Sequence, residues 1–310
     1  EEVQADTDFK RSVLEVLLNA CRMKDDNLQG LHWATELGNL YRERGEKTEA
    51  LRIDAEIGGL LVSIGQQEEG LGKIDSVILR LVALPKTFNN LDASIIALKR
   101  KEEACREVGL YSEMISTAQR IMDLLSDYEL HPASFHDGSP HEPNDERRPQ
   151  YIDFYRGKAY AYMAIAYASL HDDTEAQKYV SLYDQTFASQ SLSGRLMIAP
   201  TLGMLGEYER MQAIYDETEQ SLGNDTLNDY YAEVLFKRAD IAEAQNRLAD
   251  ANHYLHHYID LKEQIHKDFM NDMAHLYAAR YQVQQQQREK ERQREATRQA
   301  QRSRTVIGFI

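Results

Sequence analysis

Three clusters of this sequence hold residue types that do chemistry. His253, His256 and His257 stand three and four positions apart, which sets imidazoles on one face of a helix, and imidazole is a favoured zinc donor. No further ligand stands at a compatible spacing and Tyr254 and Tyr258 flank the group, so a surface histidine patch is the better reading. His131, His136 and His141 crowd into one stretch with Pro132, Pro140, Pro143 and Pro149, where composition explains them better than chelation does. Gly65-Gln-Gln-Glu-Glu-Gly70-Leu71-Gly72-Lys73 has the outline of a phosphate loop. In such a loop Lys and Ser or Thr follow the second glycine directly and a strand precedes it; here Leu71 intervenes and no strand is expected.

The remaining chemistry is thin. No Cys-x-x-Cys, His-Glu-x-x-His or Gly-x-Ser-x-Gly occurs. The acidic pairs Asp25-Asp26 and Asp172-Asp173 stand where helices start, and capping accounts for them. Cys21 and Cys105 each lie in an apolar helical pattern and read as small buried hydrophobes. No catalytic residue, cofactor or metal is expected, and the chain is read as a non-enzyme.

The elements that would position these groups are helical. The chain has 310 residues, 42% hydrophobic and 28% charged, enough for a large core and too charged for a polytopic membrane protein. Ala, Leu, Glu, Gln, Arg and Lys dominate outside the proline-rich stretch, and all are strong helix formers. Net charge is −15; from Arg280 onward eight Lys/Arg outnumber three Asp/Glu, so that tail is at +5 and the body at −20. Such a body repels phosphate backbones, and no direct nucleic-acid binding is expected.

A phrase recurs along the body: a turn residue, a few polar residues, then a small or apolar residue five positions on. It reads Gly45 to Ala50, Gly65 to Gly70, Gly109 to Met114, His171 to Ala176, Gly206 to Met211 and Asn246 to Ala251. The turn residue closes one helix in the left-handed conformation, acids open the next, and the small residue lets the two cross closely. The intervals are 20, 44, 62, 35 and 40, and the 62 falls to 42 once the His131–Gln150 stretch is removed. One helical hairpin fits each long interval. The interval of 20 holds a single helix, so either Gly45 or Gly65 lies between hairpins. Helices are expected near 8–24, 28–44, 47–64, 67–84, 88–108, 111–128, 151–170, 173–190, 193–205, 208–222, 227–245, 248–264 and 266–303. The stretch 131–150 is expected as a mobile excursion, with a cover over the binding face as the alternative.

Ala159-Tyr-Ala-Tyr-Met-Ala-Ile-Ala-Tyr167 followed by Glu175-Ala176, and Leu37-Gly38-Asn-Leu-Tyr41 followed by Gly45 and Ala50, resemble tetratricopeptide repeats. Tyr160, Met163, Ala164, Tyr167 and Ala176 match that family's packing positions. The resemblance covers residues 28–264 apart from the proline-rich stretch. It departs at 88–128, where Lys101 and Glu102 replace an apolar and a small residue, and a rotated helix or slipped register is expected there. The resemblance implies an all-α, right-handed superhelix of antiparallel helix pairs that takes a protein or peptide in its concave groove. Carrying the family's inner-face positions across gives Lys99, Glu103, Arg106, Lys158, Glu233, Phe236 and Asp240 as groove candidates.

Past Tyr258 the pattern changes without a Gly or Pro break. Ile265, Phe269, Met273 and Leu276 keep helical spacing, and Phe269, Leu276 and Val283 are seven apart, a seam over 265–283 fit for a homodimer. Gln284 to Arg304 is almost wholly polar, and Thr305 to Ile310 turns apolar. Six residues fall short of the roughly 20 that span a bilayer, so the first turns of a membrane helix and a frayed tail both remain open. The order of parts, with a body over 1–265, a helical linker over 266–304 and an apolar start over 305–310, resembles the sensory region of Bacteroidetes-type membrane-anchored signalling regulators. That resemblance implies a sensor held outside the cytoplasm at the inner membrane, in contact with the bilayer only through a helix beginning near Thr305. A soluble cytoplasmic scaffold is the alternative.

Overall fold

The computed structural model describes residues 2–23, 26–139, 142–223, 226–268, 270–271 and 289–290. They are helical with no strand among them. Helices α1 (Glu2–Met23), α2 (Asn27–Glu43), α3 (Lys47–Ser63), α4 (Gln67–Val82), α5 (Phe88–Val108) and α6 (Tyr111–Leu130) precede a short 3-10 turn, Pro132–Phe135. Then come α7 (Arg148–Ser169), α8 (Asp173–Asp184), a second 3-10 turn at Phe187–Gln190, α9 (Leu192–Met204), α10 (Tyr208–Leu222) and α11 (Asp229–Ala244). Residues 248–268 form a further helix, α12. The chain divides into two compact units, Glu1–Ile214 and Tyr215–Ile310.

The recurrent phrase does what its residue types dictate. Gly45, Gly65, Gly109 and Gly206 close their helices at φ +73, +89, +78 and +77, and His171 and Asn246 do so at φ 60 and 58. The two side-chain-bearing residues accept a left-handed backbone at a cost of about 1 kcal/mol each. Asp26, Thr87, Asp172, Ser191 and Asn228 then cap the helices they precede by accepting a backbone N–H three residues on.

Packing decides the question of the short interval. In the first unit α3 lies against α5, and α7 against α9, skipping the helix between. These are therefore the first helices of successive hairpins, α3–α4, α5–α6 and α7–α8, with α9 opening the next, and the Gly45 turn is the one between hairpins. The result is an all-α, tetratricopeptide-like stack. Its core runs without a break from Leu51, Ile74 and Ile78 through Phe88, Leu98 and Leu125 to Ile152 and Met163. Met163, Ala164 and Ala176 are buried where the repeat pattern expects packing residues, and Tyr167 stacks on Tyr179 with ring centroids 5.5 Å apart.

Three expectations meet a different structure. The helix expected over 173–190 ends at Asp184. The Phe187 N–H donates to the Asp153 carboxylate on α7 (2.5 Å) instead of continuing the helix, and the Thr186 hydroxyl donates to the Tyr183 carbonyl (2.7 Å). Over 88–128 neither a rotated helix nor a slipped register is found: Glu102 is 0% exposed, at the position where the preceding hairpin has the buried Gly58. The stretch after α6 is fastened rather than simply an excursion. Phe135 is buried edge-on against Tyr128 at 5.3 Å, and the Asp137 carboxylate accepts the Asn89 N–H at the start of α5 (3.0 Å).

Phe269, Met273, Leu276 and Val283 of the expected seam, and all of 305–310, lie outside the described residues, as does most of the 266–304 linker. Among the described residues no helix is long and apolar enough to cross a membrane.

Candidate functional site

The site grows from the first helices of the hairpins. Their buried stripes hold the stack together, and the residues one position round each helix stand at the border between that core and the open face. On α3 these are Arg52 and Glu56; on α5, Lys99, Arg100 and Glu103; on α7, Tyr155 and Lys158. Helical spacing of three and four brings each set onto one face.

Charge fixes this face. Glu56, 5% exposed, sits between Arg22 Nε of α1 at 2.8 Å and Arg100 Nε of α5 at 2.6 Å. Arg100 also reaches Glu103 at 2.5 Å, and Lys99 reaches the same carboxylate at 3.4 Å. Two turns towards the start of α5, Arg52 pairs with Asp92 at 3.1 Å and the Tyr151 hydroxyl donates to Asp92 at 2.8 Å. A cleft of about 460 Å³ opens beside this network, lined among others by Tyr41, Arg52, Glu56, Lys99, Arg100 and Tyr155. A smaller one of about 240 Å³ lies on the other side of Glu56, towards Glu103 and Glu107.

The titration of these groups follows from the geometry. Burial works against the charge of Arg100, but Glu103 and Glu56 outweigh it and hold the guanidinium above its ordinary value. Burial alone would raise Glu103; Arg100 and then Lys99 pull it below the usual carboxylate range. Lys158 is the exception. Burial first, and the like charge of Lys99 second, press its ammonium below the ordinary lysine value, and Glu103 offsets only part. Its closest polar contact is the Met197 thioether at 3.7 Å, with the Phe154 ring centroid at 5.6 Å. Burial also lifts the Tyr155 hydroxyl, with help from Asp92, to about 12. Cys105, on the buried side of α5, is pushed up to about 12 by the same cause, so its thiol stays protonated and inert at neutral pH.

Of the sequence candidates, Lys99, Glu103 and Lys158 come together here. Arg106 is exposed further along α5, close enough for its charge to bear on Tyr162. Glu233, Phe236 and Asp240 belong to the second unit. There Phe236 meets Tyr258 of α12 with centroids 5.3 Å apart, Lys237 binds Asp240 at 3.1 Å, and Glu233 is exposed. Sequence reasoning missed Arg22, Arg52, Glu56, Asp92 and Arg100. The Arg52–Glu56 spacing of four marked a shared face, but α1 precedes the recognisable repeats and gave no sign that it would supply a cation.

No group of three or more His, Cys, Asp or Glu side chains able to hold a metal converges among the described residues. His253, His256 and His257 are exposed on α12, and His257 lies edge-on to Tyr231 at 5.9 Å. The Gly65–Lys73 segment forms the α3–α4 turn and the start of α4, with Lys73 directed to Asp54 at 3.4 Å.

No protein-family model matches the chain, and no curated protein matches it. Among solved structures it is similar to BtubC (BKLC) from P. vanneervenii, at 12% identity and TM-score 0.49 over 82% of this chain and 92% of that one. It is also similar to a tetratricopeptide repeat protein from Parabacteroides merdae ATCC 43184, at 13% identity and TM-score 0.40 over 83% and 96%.

Proposed function

We propose that the chain is a non-catalytic interaction module whose first unit receives an extended segment of a partner protein along the face shared by α3, α5 and α7. The observation that carries this reading is the arrangement around Glu56. Two guanidiniums and a carboxylate are held rigid beside an open cleft, and the tyrosines next to them give a partner apolar surface without loose side chains to immobilise. The ion pairs on this face tie α1, α3 and α5 together, and the cleft beside them stays open for a partner. The test is peptide display against the purified chain and against a variant carrying Arg100→Ala, Glu103→Ala and Lys158→Ala. Sequences enriched by the wild type and lost by the folded variant support the groove; equal enrichment by both removes it.

The finer reading is a sensor held outside the cytoplasm by a membrane helix that begins near Thr305, coupled through the 265–283 seam; a cytoplasmic scaffold is the competing one. The order of parts along the sequence supports the sensor. About 15 further apolar residues encoded after Ile310 would agree with it, and a polar continuation would refute it. Sedimentation of the chain with and without residues 266–304 tests the seam: equal mass removes dimerisation from the mechanism.

A further inference from the structure

The first unit has a second opening, away from Glu56 and built from different residues. It is a pocket of about 560 Å³ between α4, the start of α5 and α6, within the roughly 300–1,000 Å³ typical of sites for small organic ligands. Leu81 and Val82 of α4, Leu84 of the connection, Leu91 of α5 and Leu124 of α6 form its walls. Phe135 adds a further wall. That ring is 3% exposed, held by Tyr128 at 5.3 Å and by the Lys86 ammonium 4.6 Å from its centre. It comes from the stretch between α6 and α7, the interval that exceeds the hairpin repeat. Val82, at 68% exposure, leaves its side chain largely in water at the mouth.

The rim carries two cations, Lys86 and Arg120, and two carboxylates, Asp123 and Asp127, but they are unevenly engaged. Asp127 is taken by Lys86 at 2.6 Å and by His131 at 3.1 Å. Asp123 accepts from the Gln119 amide at 3.0 Å. Arg120, on the same helix and lining the same pocket, makes no hydrogen bond or ion pair among the described residues. A guanidinium offers two parallel donors that match a carboxylate. An aliphatic pocket with an unengaged guanidinium at its edge fits an amphipathic anion.

We propose that this pocket binds a free medium-chain alkyl carboxylate, its chain among Leu81, Leu91, Leu124 and Phe135 and its head group on Arg120. The site lies apart from the α3–α5–α7 face and does not depend on what that face binds.

The experiment is calorimetric titration of the whole chain with decanoate and with decanol, both below their aggregation limits. Three variants accompany it: Arg120→Gln, Val82→Glu and Phe135→Ala. Decanoate is expected to bind about tenfold more tightly than decanol, equivalent to about 1.4 kcal/mol. Arg120→Gln should erase that preference while leaving decanol unchanged. Val82→Glu, at an exposed position that tolerates substitution, sets a like charge in the mouth and should abolish decanoate binding with peptide display on the α3–α5–α7 face unaltered. Phe135→Ala should weaken both ligands alike. Absence of decanoate binding to the wild type overturns the proposal, as does equal affinity for decanol or full affinity in Arg120→Gln.

Discussion

The neighbouring hairpins α3–α4 and α5–α6 meet the same geometric demand in opposite ways. Gly70 follows Gly58 by twelve positions across its turn, as Met114 follows Glu102 across the next. In the first hairpin the helices touch backbone to backbone: a Cβ on Gly70 would lie 2.5 Å from the Gly58 carbonyl oxygen, and one on Gly58 would lie 2.9 Å from that of Gly70. In the second, two large side chains fill the same place, both 0% exposed, and neither oxygen of the Glu102 carboxyl finds a hydrogen-bond partner among the described residues. A polar clasp stands next to this misfit. The ammonium of Lys101, 6% exposed, is held by Asp75 of α4 at 2.7 Å and Glu113 of α6 at 2.6 Å. The contrast teaches that the repeat is defined by spacing and turn chemistry; the crossing itself tolerates either close contact or a bulky pair secured from the side.

Substitutions can break or sharpen this contrast. The largest effect is expected from Gly70→Val, which forces α3 and α4 apart; urea unfolding should show a loss of about 3 kcal/mol. Glu102→Met has the opposite sign. It keeps the volume and removes an unpartnered polar group, so the same assay at neutral pH should show a gain of about 2 kcal/mol.

The pH profile of that site follows from its burial, which raises the Glu102 carboxyl well above the ordinary value, with Glu103 adding to the rise and Lys99 opposing it. The native state therefore binds this proton more tightly than the unfolded state does. Its contribution is complete below the unfolded pKa and is lost as pH rises towards the folded one. Melting curves from about pH 5 to pH 8 should show wild-type stability falling more steeply than that of Glu102→Gln, and parallel slopes would contradict a buried protonated carboxyl.

Lys101→Met opens the clasp but leaves Asp75 and Glu113 with access to water. A smaller loss, about 1 kcal/mol, is expected, and it should shrink at high salt because both partners are partly exposed. The smallest change is Gly72→Ala. Gly72 lies on the same helix as Gly70 with nothing within 4 Å of a built Cβ, so a gain of about 0.5 kcal/mol is expected from helix propensity alone. Together with Gly70→Val it separates the need for glycine at the crossing from glycine as such.

Much of this architecture is legible in the sequence because it is local. The six turns announce themselves since each needs a residue that accepts positive φ, and every one of them has it. Lys99, Glu103 and Lys158 come from carrying the resembled family's inner-face positions across, which needs only the local turns to set the alignment. What is hidden is decided by distant partners. Gly45 and Gly65 carry the same local phrase, and only the contact of α3 with α5 tells them apart. The early end of α8 depends on Asp153, 34 residues before Phe187. Lys101 and Glu102 break the apolar pattern, yet the stack keeps its register: Asp75 and Glu113 neutralise the first, and burial favours the neutral form of the second. The pairing of Arg22 with Glu56 joins a helix outside the recognisable repeats to one inside them.

The single carboxylate shared by Arg22 and Arg100 also constrains how this molecule can change over generations. A neutral residue at position 56 would take a partner from both cations at once, leaving Arg100 with Glu103 and Arg22 with Asn19 and solvent. Positions 22, 56 and 100 are therefore coupled, and a change at 56 is felt most at Arg22, whose one carboxylate partner among the described residues it removes.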